Sequence, residues 1–380
     1  MASDLFSDLL INEWMWILRI LAIETTCDET AAAVIEADSV VSSVANSKTP
    51  CEIDSDSDSN PTPRVLGAVV ASQIAIHQIH GGVVPEIASR AHLEKILPVI
   101  EETLRQAETS LDQLDAIAVA YRPGLAGSLL VGVSAAKALC VATGKPLIGI
   151  DHLQAHIYAC RISAQCNIFP CIGLIISGGH TSLYRCRGPL EFEFLGGTID
   201  DAAGEAFDKV AAMLGLPYPG GPSVQRAAQT GDPKAYRFPR PFLNEHDRLA
   251  FSFSGLKTAV RYTITGPGKA DFSEITLSSQ QISDIAASFQ AAVADCLVGK
   301  AMLALRQTGM RTLCVGGGVA ANTAVRTKLL EESKKRGVTV HIAPLKLCTD
   351  NAVMGAIAVE RYRAGLFESL ELDIGAGVLR

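Results

Sequence analysis

Residues 17–37, ILRILAIETTCDETAAAVIEA, read as a strand, a polar turn and a second strand, a hairpin whose turn carries Thr25, Thr26, Asp28, Glu29 and Thr30. Half a chain later, residues 171–188, CIGLIISGGHTSLYRCRG, repeat that plan with glycines in the turn. Two such units predict a duplicated architecture with a ligand held between the copies. Between them, GGVVPEIASRAHLEKILPVIEETLRQA (81–107) reads as a long amphipathic helix region and LDAIAVAYRPG (114–124) as a buried strand. GSLLVGVSAAKALCVATG (127–144) reads as a further helix, ended by Gly144. Alternating strands and helices imply an α/β fold.

Composition bounds the function. The 380 residues are 48% hydrophobic and 19% charged, enough for two lobes with cores of their own. A net charge of −7 argues against a free-standing nucleic-acid binder, because neutralising phosphates needs a concentrated basic surface. Ten cysteines are scattered with no C-x-x-C pair, and several, Cys140 and Cys314 among them, sit in apolar runs, which points to a reduced, cytoplasmic setting. The first 17 residues carry Asp4, Asp8 and Glu13 and lack the basic start of a targeting signal, and Arg19 interrupts the apolar run that follows. They read as an extension. Residues 47–64, SKTPCEIDSDSDSNPTPR, are rich in Ser, Asp and Pro and read as a disordered surface insertion.

Four stretches carry chemistry. In IDHLQAHIYA, His152 and His156 are four residues apart, so on a helix both imidazoles share one face and can share one cation, with Asp350 in LCTDNAVMGA as a distant third ligand. Core or surface histidines are the bland alternative. Leu153 follows His152 where a zinc protease of the H-E-x-x-H kind has its glutamate, so a metal here orients or polarises a ligand oxygen. In LIISGGHTSL, Gly178 and Gly179 leave backbone N–H groups open to an anion, or form an ordinary hairpin turn, and His180 and Thr181 add donors. In RTLCVGGGVAANTAVRTKLL, a strand runs through Gly316, Gly317 and Gly318 into a helix, with Asn322 on its first turn as a sugar contact or a local cap. TIDDAAGEAFDKVAAMLGLPYPGGP concentrates Asp200, Asp201, Glu205, Asp208 and Lys209 and ends in a Pro-Gly-Gly-Pro turn, Asp208 being the favoured ligand contact.

In order, IETTCDET, GGVVPEIASRAH, PGLAGSLLVG, DHLQAHI, ISGGHTSL, DDAAGEAFDKVAAMLGLPYPGGP, FSFSGLKTAV, GGGVAAN and CTDNA resemble the tRNA N6-adenosine threonylcarbamoyltransferase family in its bacterial form. The likeness runs from about Ile20 to Gly365. It implies an actin-like ATPase (ASKHA) fold with two duplicated lobes around a nucleotide cleft. The expected division is an extension at 1–17, lobes at 18–165 and 166–349, and a tail at 350–380 that packs back on the first lobe. The resemblance places metal ligands at His152, His156 and Asp350, the ion being iron(II), with zinc(II) suiting the same donors. It places substrate contacts at Ile175, Ile176, Ser177, Gly178, Gly179, Asp208, Gly221 and Asn322. The implied reaction moves the threonylcarbamoyl group of threonylcarbamoyladenylate to N6 of adenosine 37 in tRNAs that read codons beginning with A, releasing AMP. Because the attacking amine must lose a proton, Asp28 or Glu29 is the candidate acid/base. The implied partners are tRNA, the adenylate, a TsaB-like paralogue and a TsaE-like small ATPase, with a separate synthase to make the adenylate and no membrane.

The family commonly has Gly-Pro-Gly where this chain has Arg122, Pro123 and Gly124, and Arg122 is expected to point to solvent or RNA phosphate. Arg237, Arg240, Lys257 and Arg261 offer a modest basic patch. The rival readings are a metallopeptidase acting on glycoproteins, which lacks its glutamate, and a non-catalytic nucleotide-binding scaffold or sugar kinase, in which the histidine pair has no role.

Overall fold

A computed structural model describes residues 16–38, 62–266 and 276–377. The opening hairpin forms as read: β1 (Ile17–Glu24) pairs antiparallel with β2 (Glu29–Asp38), which pairs with β3 (Arg64–Ser72). Of the acidic insertion, residues 47–61 lie outside the described residues, as do residues 1–15, and Arg64 already belongs to β3. After α1 (Ile74–Gln78) and α2 (Pro85–Gln106), β4 (Ala116–Arg122) lies parallel to β1. Helix α3 (Ala126–Thr143), closed by Gly144 in the left-handed region as the sequence implied, leads to β5 (Leu147–Asp151) beside β4. The sheet order is β3-β2-β1-β4-β5.

The pattern then repeats. Helix α4 (His152–Ala164) enters a second set, β6 (Cys171–Ile176), β7 (Thr181–Gly188) and β8 (Glu191–Gly197). Helices α5 (Ala203–Met213), α6 (Gly220–Ala227), α7 (Ser254–Thr265) and α8 (Ser279–Thr308) follow. Strand β9 (Thr312–Gly316), α9 (Thr323–Arg336) and β10 (Thr339–Ile342) complete the sheet, ordered β8-β7-β6-β9-β10, before α10 (Leu345–Cys348) and α11 (Ala358–Arg363). In each sheet the first three strands in chain order are antiparallel and the last two parallel to the first, so the duplicated α/β architecture stands.

Strand β1 is buried on both faces, which is why it reads as an almost unbroken apolar run. Leu21 and Ile23 pack toward Ile96 and Ile100 of α2 and Val133 of α3. Leu18, Ile20 and Ala22 face α4 and residues 352–359. Helix α4 belongs to two cores at once: Ala155, Tyr158 and Ala159 join the first sheet, while Leu153, Ile157 and Cys160 join the second, with Phe207 of α5 and Phe289 of α8. It is therefore buried all round, and its N-terminal end sits where both sheets end. Its outer turn is tied down by Glu360 of α11, which accepts from Tyr158 Oη at 2.8 Å and Arg161 Nη1 at 2.9 Å. Helices α3 and α8 have the length and apolar composition of a membrane span; α8 is largely enclosed in the second core.

Candidate metal centre and substrate cleft

Asp151 starts α4, its Oδ1 accepting from the N–H groups of Leu153 and Gln154 at 3.0 and 3.3 Å. His152 and His156 then fall on one face, ring centroids 4.6 Å apart. Asp350, from the loop after α10, brings Oδ1 to 3.4 Å from His152 Nε2 and 3.3 Å from His156 Nε2. One ligand atom from each of the three lies within 4.8 Å of the others, a possible metal-binding site. Burial works against protonating His152, but Glu24 and Asp350 outweigh it and hold its pKa well above the ordinary value. Burial alone would raise Asp350; the two imidazoles hold it far below the carboxylate range instead. His156 is fully buried, and neither ring nitrogen has a hydrogen-bond partner, although Nε2 faces the Asp350 oxygen. Two imidazoles and a carboxylate converging with an orphaned ring fit a divalent cation.

The β1–β2 turn supports this centre. Glu24 ends β1, accepting from Thr26 N at 2.7 Å through Oε1 and facing His152 Nδ1 at 3.0 Å through Oε2. Such an outer partner fixes ring orientation and points Nε2 at Asp350. Cys27 and Asp28 also bring a ligand atom within 4.8 Å of Asp350. Burial, then the neighbouring Asp350, raises the Asp28 carboxyl. Glu29, whose Oε1 accepts from Ser72 Oγ at 2.9 Å, is pushed up to about 7, chiefly by burial, and its Oε2 is buried without a partner. His92 of α2 clamps the turn, its Nδ1 2.8 Å from Thr30 Oγ1 and its Nε2 3.0 Å from the Cys27 carbonyl.

The β6–β7 turn faces it with backbone. Ile175 and Ile176 end β6, and Ser177, Gly178 and Gly179 form the turn, closed by Ser177 N donating to His180 O at 2.8 Å. A side chain built at Gly178 or Gly179 would meet nothing within 4 Å, so both face open space. The first turn of α5 donates to the Ser177 and Gly178 carbonyls through Gly204 and Glu205. Burial lowers His180 to about 4, helped by the nearby His152. Packing demands two of the three consecutive glycines: a Cβ on Gly316 would lie 2.6 Å from the His156 carbonyl, and Gly317, with φ of +93°, would place one 2.6 Å from the Ile176 carbonyl, whereas Gly318 faces open space.

The remaining expected contact residues make bonds of their own. Asp208 Oδ1 accepts from Gly220 N at 2.7 Å, and burial raises its carboxyl. The Pro-Gly-Gly-Pro segment is the start of α6 rather than a free turn, because Asp208 supplies an acceptor for its first N–H; Gly221 faces open space. Asn322 is the N-cap of α9, not part of its first turn: Oδ1 accepts from Val325 N at 3.1 Å and Nδ2 donates to Gln290 Oε1 at 2.7 Å. Gln225 of α6 accepts from Thr323 N beside it. Asp200 accepts from Phe253 N at 2.8 Å at the start of α7, and Asp201 pairs with Lys209 and Lys257. With Arg240 on Asp295, two of the four expected basic-patch residues are ion-paired. Arg122 departs from expectation too: it turns inward, Nε 3.1 Å from Asp151 Oδ2. Sequence reading missed Glu24, His92 and Tyr218, which lies within electrostatic reach of Asp28 and Asp208. A glutamate closing an apolar strand was the available signal for the first.

Two like sheets closing on a histidine-carboxylate centre, with a glycine turn opposite, define a two-lobed actin-like α/β protein. The solved structure of full-length HypF in a phosphate- and nucleotide-bound form shares this fold: TM-score 0.57 at 14% identity, over 92% of this chain and 47% of that one. A family model described as tRNA N6-adenosine threonylcarbamoyltransferase matches residues 64–357. A protein of that name from Rhodopirellula baltica is 53% identical, across 95% of this chain and 97% of its own, and one from Symbiobacterium thermophilum is 47% identical across 94% and 96%. The chain belongs to the tRNA N6-adenosine threonylcarbamoyltransferase family.

Proposed function

We infer that the chain is an acyltransferase that moves the threonylcarbamoyl group from threonylcarbamoyladenylate to N6 of adenosine 37 in tRNAs reading codons that begin with A. The adenosine amine bonds to the carbamoyl carbon, the bond from that carbon to the phosphate oxygen breaks, and AMP leaves with the electron pair. The observation that carries this reading is 53% identity to a named transferase along 95% of the chain.

The cleft suits such a reaction, because a mixed anhydride carries its own activation and needs chiefly positioning and charge stabilisation. His152, His156 and Asp350 would hold iron(II), or zinc(II), as the resident ion. When bound, that ion supplies a fixed positive charge for the substrate's oxygen atoms. The open backbone at Ser177, Gly178 and Gly179, with Ile175 and Ile176 behind it, receives the phosphate. Asp208 and Gly221 line the sugar side, with Asn322 holding the adjoining end of α9. Glu29, with a pKa of about 7, is suited to take the N6 proton near neutrality, with Asp28 beside it.

The lobes in this reading are 18–165 and 166–349, with 350–380 returning to the first. Free thiols at every described cysteine suit a cytoplasmic protein. The family resemblance implies that a TsaB-like paralogue and a TsaE-like ATPase belong to the working assembly, and a net charge of −7, which gives tRNA no long-range attraction, fits a need for helper proteins. Measuring N6-threonylcarbamoyladenosine in tRNA from cells with and without this gene tests the function. Its loss on deletion is expected; an unchanged level in cells lacking other such enzymes refutes it.

A further inference from the structure

We infer that Arg122 is a positioning residue for the histidine centre, acting through Asp151 on the first turn of α4. The inference rests on the metal reading above. Arg122 and Asp151 are the last residues of neighbouring strands and lie opposite each other in register. The register shifts between Ala120 and Arg122, a bulge that re-aims the arginine. The Asp151 carboxylate is thereby divided: Oδ1 holds the N–H groups of Leu153 and Gln154, and Oδ2 holds Arg122 Nε at 3.1 Å. His152 is the next residue, and His156 lies one turn on. Any rotation of Asp151 turns the helix start that carries both imidazoles.

The guanidinium is itself held. It lies 5.0 Å over the Tyr121 ring. The C-terminal segment straps across: Glu368 N donates to Leu147 O at 2.8 Å and Gly375 N to Tyr121 O at 2.9 Å. Gly375 sits so close that a Cβ there would be 2.9 Å from Arg122 Cβ. Leu372 and Ile374 pack on the first core. His152 is thus oriented from two directions, its ring by Glu24 and its backbone by the Arg122–Asp151 pair.

The test is Co²⁺ binding, followed by its visible absorption, alongside the melting temperature of the metal-free protein. The full chain is compared with Arg122→Gly, Arg122→Lys, Asp151→Asn and the Arg122→Gly/Asp151→Asn double variant. Asn caps a helix as well as Asp, so Asp151→Asn keeps the cap and drops the charge. Outer partners of metal ligands typically carry about ten- to hundredfold in affinity. Acting one contact further out, Arg122→Gly is expected to weaken Co²⁺ binding by roughly three- to tenfold. Asp151→Asn should match it, the double variant should be no worse than either, and Arg122→Lys should recover part of the loss. Wild-type affinity in Arg122→Gly, with or without a lower melting temperature, overturns the inference, as do losses that add in the double variant. A full chain that binds no Co²⁺ overturns the metal reading itself.

Discussion

The β1–β2 turn and the β6–β7 turn occupy the same place in two copies of one sheet, and they offer a ligand opposite things. The first presents side chains, all acidic or thiol: Cys27 and Asp28 bring ligand atoms within 4.8 Å of Asp350, Glu24 faces His152 and Glu29 holds Ser72. The second presents bare backbone at Gly178 and Gly179, flanked by the side chains of Ser177 and His180. Helix α4 lies between them and carries the histidines. Duplication fixed the frame, and divergence of two short turns gave one side chains and the other bare backbone.

Three tests sharpen that contrast. The largest effect is expected from the acidic turn: an Asp28→Asn, Glu29→Gln variant should lose about 10²–10⁴-fold in single-turnover transfer, the usual span for a general base. It should melt no lower than the parent, since both carboxyls are raised by burial. Retained transfer would remove the proton-accepting role from this turn.

The glycine turn should behave in the reverse sense to the triple glycine. Gly178→Val, in open space, should leave stability within about 0.5 kcal/mol while blocking the approach to the backbone and lowering transfer about tenfold or more. Gly317→Ala, at φ +93° and against the Ile176 carbonyl, should destabilise by at least about 1–3 kcal/mol in a denaturant melt. Equal stability losses in the two variants would mean that both are merely packing glycines.

The smallest effect is a pH slope. Glu29 has a folded pKa of about 7 against an ordinary 4.5, so the folded chain keeps a proton that the unfolded chain releases between those values. Stability from this group is therefore present below pH 4.5 and lost as pH rises to about 7. With Glu29 as the proposed base, transfer should rise across pH 7. Glu29→Gln should flatten both slopes, and a wild-type stability slope in that variant would place the titration elsewhere.

Much of this was legible from residues alone. Both hairpins, the helices ended by Gly144 and carrying His152 and His156, and the glycine strand end follow from local pattern. Asp350 was legible as a distant carboxylate that could complete the histidine pair, and the family resemblance pointed to the same residue. What remained hidden depends on register and long-range closure. Arg122 was expected at the surface because its partner Asp151 lies on another strand and the strap over it comes from residues near the C-terminus. Asn322 offered a cap and a sugar contact equally in sequence and Asp208 was favoured as a ligand contact, and only the start of a helix beside each decides what the side chain bonds.

The proposed cation at the start of α4 is the most direct point of test. Elemental analysis of the purified chain and of its His152→Ala, His156→Ala variant is the decisive measurement. About one transition-metal ion per chain is expected in the parent, falling to a small fraction in the variant. Full occupancy in the variant would contradict the assignment of His152, His156 and Asp350 as its ligands.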